Sequence, residues 1–213
     1  VVEFLDRILP MVDEEITAQV TKHLTDIGIK INTSAKVTEI TADSVKFEKD
    51  GAVQEVKCEQ VLMAVGRGPD LTGIDTEALG IKTERGAIVT DLTLKTNVPN
   101  IYAIGDVNGK VMLAHVGYRE GEVAVNHILG EDDAMSYDAI SGVVYTSPEA
   151  AFVGLSEEQA KASGRNYEVK KVSINFSGRH VAENGLSNGI CKLIVDKNKE
   201  TLIGAALMSS YAS

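Results

Sequence analysis

Cysteine is scarce in this chain. Only Cys58 and Cys191 occur among 213 residues. They form no close-spaced pair, so neither a redox dithiol nor a zinc site can be read locally. Cys191 falls in an apolar run and reads as core. Cys58, among Lys57, Glu59 and Gln60, reads as the edge of a strand. A buried free thiol behaves mostly as a small hydrophobe, so a structural role is expected for both. Low cysteine use fits a reducing compartment. No apolar run approaches the roughly 18 residues that a membrane span needs. Basic residues are also in deficit, with a net charge of -10. Phosphate backbones attract basic patches, so this balance argues against a nucleic-acid partner. Internal repeats and low-complexity tracts are absent, and no signal peptide is visible at the start. The opening residues, Val1-Val2-Glu3, are not a translation start, and an internal piece of a longer protein is expected.

The composition, 44% hydrophobic and 24% charged, is that of an ordinary soluble globular protein. Val1 to Phe4 reads as the end of a buried strand. Asp13 then caps a helix with Ile16, Val20, Leu24 and Ile27 at near-helical spacing, and Gly28 stops it. Ile29 and Ile31 alternate with polar residues and predict another strand. Three short strands are expected near 37–40, 45–47 and 53–56, with Asp50-Gly51 as a hairpin signal. Together they predict an antiparallel meander within an α/β unit. Val61 to Val65 is a continuous apolar run, the pattern of a strand buried on both faces of a parallel sheet. Ile101 to Ile104 is a second such run, ending at Gly105 and Asp106. A helix is expected over 114–129, stopped by Gly130. After residue 140 the pattern becomes α+β. A capping box at Ser156 and Gln159 opens a short helix, and strands are expected near 169–174, 190–195 and 202–207.

In open parallel sheets, ligands bind beyond the carboxyl ends of the strands. Three places have that form. Glu3 follows a strand end, where an acidic residue can accept from adenine ribose hydroxyls and repel a 2′-phosphate; it can equally be a surface glutamate. Gly66, after the apolar run, leaves its backbone open to a cofactor, or is a turn glycine. The richest place is Thr96-x-x-Pro99-x-Ile101-Tyr102-Ala103-Ile104-Gly105-Asp106, where a strand delivers a carboxylate directly after a glycine. Such a carboxylate can hold a polyhydroxyl chain, or act as a turn cap. Six residues on, Met112-Leu113-Ala114-His115 begins a helix, whose N-terminus carries roughly half a positive charge and free N–H groups. Aimed at the pyrimidine side of an isoalloxazine ring, that end favours negative charge there. The plainer reading of His115 is a packed core histidine.

Thr96 to Asp106 resembles the second flavin-binding motif of the pyridine nucleotide–disulfide oxidoreductases. Met112 to His115 resembles the form found in the dihydrolipoamide dehydrogenase branch, rather than in glutathione or mercuric reductases. Tyr145-Thr146-Ser147-Pro148-Glu149-Ala150-Ala151-Phe152-Val153-Gly154 resembles the opening of the family's dimerisation domain. The resemblance covers essentially the whole chain in the right order. It implies an α/β fold containing parts of Rossmann-like NAD- and FAD-binding domains, followed by an α+β dimerisation domain and truncated at both ends. The implied pieces are 1–68 from the NAD-binding domain, 69–136 from the FAD-binding domain and 137–213 from the dimerisation domain. Asp106 would bind the flavin ribityl chain, and Met112, Leu113, Ala114 and His115 would line the flavin. Glu3 would hold the NAD adenine ribose, Val37 would pack beside the adenine, and Gly66 would meet the nicotinamide end. His23, His127 and His180 match no family site and are expected to be structural or solvated.

The resemblance further implies FAD and NAD as cofactors, no metal, a homodimer, and a lipoyl domain of a 2-oxo acid dehydrogenase or glycine-cleavage complex as partner. It places the protein in a bacterial cytoplasm or a mitochondrial matrix. The family's Cys-x4-Cys pair, NAD phosphate loop and catalytic histidine–glutamate pair have no counterpart here, so no catalytic residue is assigned and the chain alone is expected to be inactive. Two alternatives stay open: another disulfide reductase, such as a mercuric or glutathione reductase, and a non-catalytic FAD-binding or dimerisation module.

Overall fold

The structure, a computed structural model, describes all residues from Val1 to Ser213. The chain divides into two compact units, one built from Val1–Leu62 with Asp138–Ser213 and the other from Met63–Tyr137.

In the first unit, helix α1 (Glu14–Asp26) begins where the sequence predicts, with the Asp13 side chain accepting from the Glu15 N–H. Strands β1 (Lys36–Ile40), β2 (Ser44–Lys49) and β3 (Ala52–Lys57) form the expected antiparallel meander. Asp50 and Gly51 turn the β2–β3 hairpin with φ of 54° and 74°, the positive pair that a two-residue type I′ turn requires. Phe47 is buried, whereas β3 is exposed along its length.

The remaining strands of this unit are β6 (Ser141–Val144), β7 (Glu149–Gly154), β8 (Tyr167–Ser173), β9 (Ile190–Asp196) and β10 (Thr201–Ser209). They make one antiparallel sheet in the order β6-β7-β10-β9-β8. Helix α3 (Glu157–Ala162) carries the predicted Ser156–Gln159 capping box, and α4 (Gly178–Asn184) follows β8. Side chains alternate between the two faces of a strand. On β9 and β10 the buried residues are Lys192, Ile194, Asp196, Gly204, Ala206, Met208 and the terminal Ser209. Val12, Ile16 and Val20 close over that face, joining Ala150, Ala206 and Met208 in one core. On the opposite face Ala151, Val153, Cys191, Leu193, Ala205 and Leu207 are only half-buried.

The second unit contains the short hairpin of β4 (Thr83–Glu84) and β5 (Ala87–Ile88), and helix α2 (Ala114–Ile128). Its core gathers Ile81, Ile88 and Ala103, with Leu71, Val98, Ile101 and Val107 against them. Val116, Glu120, Val123 and Ala124 form the buried stripe of α2.

Four predicted strands take a different form. Val61 to Val65 is not a strand, and Leu62 and Val65 are 90% and 88% exposed. A parallel strand exists only between neighbours that satisfy its backbone, and no segment of this chain pairs with it. Val1 to Phe4 is likewise no buried strand. It contributes one parallel bridge, Val2 to Asn32, and Phe4 is exposed. The segment around Ile29 and Ile31 reaches only that same bridge. Ile101 to Ile104 pairs instead with the segment just before it. The Thr96 N–H donates to the Ile101 carbonyl (2.9 Å) and the Ala103 N–H to the Leu94 carbonyl (3.0 Å). That short antiparallel ladder buries Ala103 but leaves Ile104 exposed.

No helix is long and apolar enough to cross a membrane.

Candidate functional site

The second unit positions the richest group of predicted residues. The ladder carries the chain to Gly105, whose φ of 70° turns it into a 3-10 turn, Gly105–Asn108. This left-handed conformation is strained for any residue with a Cβ. Asp106 projects from the turn as an exposed side chain, while Asn108 points inward and is buried. The next residues run to Leu113, the N-cap of α2, held extended at φ -129° and ψ 136°.

No side chain caps α2 and its first turn contains no acidic residue. The partial positive charge at this helix N-terminus is therefore not met by a capping side chain or by an acidic residue of its own first turn. Leu113, Ala114 and His115 are exposed and Met112 is half-buried. The first turns of α2 lie directly against the Gly105 bend: a Cβ added at Gly117 would stand 3.4 Å from the Gly105 Cα. The fold thus brings Asp106 and Met112–His115 into one neighbourhood. An exposed carboxylate beside an uncapped helix end suits a ligand with hydroxyls at one part and hydrogen-bond acceptors at another.

Glu120 underlies this arrangement. It is fully buried, and one carboxylate oxygen accepts from the Gly105 N–H (2.6 Å) and from the Asn108 amide (2.9 Å). The other oxygen accepts from the Tyr137 hydroxyl at 2.7 Å. Burial raises the Tyr137 pKa, and the hydrogen bond to Glu120 and its charge raise it further. The Lys110 ammonium lies 5.4 Å from the centre of the Tyr137 ring. Sequence reasoning passed over Glu120, Asn108 and Tyr137. The available signal was helical spacing, because Glu120 falls on the stripe of Val116, Val123 and Ala124.

Glu3 and Val37 both lie in the first unit. The Glu3 carbonyl accepts from the Ala35 N–H (2.9 Å), two residues before Val37. One Glu3 carboxylate oxygen accepts from the Leu5 N–H (2.8 Å), so part of its capacity is used locally. Val37 is exposed on β1. Gly66 belongs to the second unit, in an exposed stretch outside any helix or strand, with φ 113° and nothing within 4 Å of a Cβ built there.

His127 and His180 have local partners. His127 Nδ1 is 2.7 Å from the Tyr102 hydroxyl. His180 is buried, with Nε2 3.0 Å from the Ser187 hydroxyl. Burial pushes the Cys191 thiol up, which makes it a poor nucleophile at neutral pH. No group of three or more His, Cys, Asp or Glu side chains converges to hold a metal ion.

Residues 1–121 match the family described as pyridine nucleotide-disulphide oxidoreductase, and residues 140–213 match that family's dimerisation domain. Among curated relatives, the chain is 41% identical to the dihydrolipoyl dehydrogenase of Rhizobium etli and 37% identical to that of Vibrio cholerae. Each comparison covers 99% of this chain and 45% of the relative. The chain therefore spans less than half the length of these relatives. Among solved structures, the Cu(II) complex of the HOCl-induced flavoprotein disulfide reductase RclA of Escherichia coli superposes with a TM-score of 0.84 at 28% identity, over 99% of this chain and 49% of that one. LpdA of Mycobacterium tuberculosis gives a TM-score of 0.84 at 25% identity, over 97% and 46%.

Proposed function

Since the chain belongs to the pyridine nucleotide-disulphide oxidoreductase family, we propose that it forms the cofactor-holding middle of a dihydrolipoyl dehydrogenase, a longer protein that oxidises dihydrolipoamide with NAD by way of FAD. The observation that carries this reading is the pairing of an exposed Asp106 with the uncapped N-terminus of α2. FAD, when bound, relays an electron pair between a dithiol and NAD. The Asp106 carboxylate accepts from ribityl hydroxyls. Met112, Leu113, Ala114 and His115 line the ring, and the α2 N–H groups favour negative charge on its pyrimidine edge. Glu3 accepts from the adenine ribose of NAD, Val37 packs beside the adenine, and Gly66 admits the nicotinamide end.

In this reading residues 1–68 belong to the NAD-binding domain, 69–136 to the FAD-binding domain and 137–213 to the dimerisation domain. The exposed apolar run at Val61 to Val65, and the exposed Tyr118, Val125, Ile128 and Leu129 of α2, support a larger surrounding fold. A homodimer is supported by the match of residues 140–213 and by the half-buried apolar face of the five-stranded sheet. The lipoyl domain of a 2-oxo acid dehydrogenase or glycine-cleavage complex supplies the dithiol. Low cysteine use supports a bacterial cytoplasm or a mitochondrial matrix. Cys58 and Cys191 are not spaced as a redox pair, so the thiol chemistry comes from residues outside this chain, and the isolated chain is inactive. The 41% identity to a dihydrolipoyl dehydrogenase supports this substrate.

The test compares FAD binding by the full-length protein and its Asp106→Ala variant. Loss of charge-assisted hydrogen bonds to ribityl hydroxyls should weaken binding roughly 10- to 100-fold. Unchanged affinity would remove Asp106 from the site, and a wild-type protein that takes up no FAD would overturn the reading as a whole.

A further inference from the structure

Glu120 reaches no ligand. It is fully buried, and both carboxylate oxygens are engaged inside the protein. A carboxylate is an expensive group to bury unless its bonds are complete. At this position on α2 it stands in line with Val116 and Val123, where an aliphatic side chain would pack without that penalty. One of its oxygens binds only the segment around Asp106. The Gly105 N–H lies one peptide before Asp106, and the Asn108 amide lies two residues after it. The Asn108 side-chain oxygen Oδ1 in turn accepts from the Lys110 N–H (3.0 Å), which continues the constraint towards Met112. The Tyr137 hydroxyl completes the other oxygen and ties in the last residue of the unit.

We infer that Glu120 is a positioning residue for the flavin: its carboxylate fixes the Gly105–Asp106 bend against α2, and so sets where the Asp106 carboxylate stands relative to the α2 N-terminus. This inference rests on the flavin reading given above. A ribityl chain and a ring edge are parts of one molecule. The two contacts therefore act together only if the bend and the helix hold a fixed separation. Glu120 supplies hydrogen bonds between them, because it sits on the helix and binds the bend.

The experiment uses the full-length protein and measures FAD affinity, the visible circular dichroism of bound flavin, and the melting temperature of the flavin-free form. Three variants are compared with wild type. Glu120→Ala leaves the Gly105 N–H and the Asn108 amide without their acceptor, and FAD affinity should fall roughly 10- to 100-fold. Its flavin dichroism should change, since the ring environment is no longer held. Glu120→Gln can still accept from Gly105 and Asn108 through its oxygen while its amide donates to the Tyr137 oxygen. It should retain affinity within about threefold. Asn108→Ala removes one of the two donors at the bend and should weaken FAD by about three- to tenfold.

A folded Glu120→Ala protein with wild-type affinity and dichroism would overturn the inference. If Glu120→Ala does not fold, Asn108→Ala decides, and an unchanged affinity there would overturn it equally. Wild-type protein that binds no FAD would defeat the flavin reading and this inference together. Normal wild-type binding with unaffected variants would defeat this inference alone.

Discussion

Replacing Lys192 by Met should destabilise the protein by about 3–5 kcal/mol, the usual effect of removing one partner from a buried ion pair. Lys192 sits on the covered face of β9, 2% exposed, and Asp13 is 1% exposed. The Lys192 ammonium lies 2.9 Å from Asp13, 3.2 Å from Glu15 and 2.6 Å from Glu157. Asp13 is also the N-cap of α1 and accepts from the Glu157 N–H at 3.1 Å. One cation therefore ties α1 and α3 to the sheet. Burial alone would lower the Lys192 pKa. The hydrogen bonds to Glu157 and Asp13, with the charge of Asp13, outweigh burial and raise it. Burial alone would raise Asp13, but the Lys192 ammonium and the Glu157 and Glu15 N–H groups hold it below its ordinary value.

Those two directions fix the pH window. A depressed Asp13 contributes stability above its unfolded value of about 3.9, and that contribution is lost as pH falls through the lower folded value. A raised Lys192 contributes below its unfolded value of about 10.4, and that contribution is lost as pH rises through the higher folded value. The cluster is thus fully effective between roughly pH 4 and pH 10. In Lys192→Met, Asp13 keeps its burial without its cation, so its pKa rises and acid relieves the variant. The stability gap from wild type, measured by chemical denaturation, should be large at neutral pH and narrow on acidification. A neutral-pH gap under about 1 kcal/mol, the ordinary range of an exposed pair, would contradict this account.

The second large effect is expected at Gly154, the last residue of β7. Its φ is 70°, and an added Cβ would lie 2.4 Å from the Ile203 carbonyl oxygen. Gly154 faces Gly204 across the β7–β10 ladder, next to an irregularity in the β9–β10 register. Two penalties act on Gly154→Ala. The left-handed backbone costs about 1–2 kcal/mol with a Cβ present, and forcing atoms into filled space typically costs about 1–3 kcal/mol. A loss of about 2–5 kcal/mol should appear as a lower denaturation midpoint with an unchanged slope. A midpoint equal to wild type would mean that the ladder shifts freely at this point.

These two cases show what the sequence reveals and what it hides. The cap at Asp13, the Asp50-Gly51 hairpin and the capping box at Ser156 were legible, because each is set by residues within one or two turns of chain. The role of Asp13 as the partner of Lys192 was not, since 179 residues separate them and only the sheet brings them together. Gly154 stood out as part of a resembling segment, but its reason lies in a carbonyl on β10. The strand expected at Val61 to Val65 failed for the same cause: its pattern describes burial between neighbours that this chain does not provide. At the candidate site, Asp106 and Met112 to His115 were legible because they are close in sequence. Glu120 was hidden because a charged residue in a helical stripe reads as solvated until its partners are seen.

The most direct measurement is anaerobic titration of the FAD-loaded full-length protein with dihydrolipoamide, followed by NAD, while the visible flavin band is recorded. The account predicts that dihydrolipoamide bleaches the band, that NAD restores it, and that the isolated 213-residue chain does neither. A full-length protein with no flavin band, or with a band indifferent to dihydrolipoamide, would contradict it.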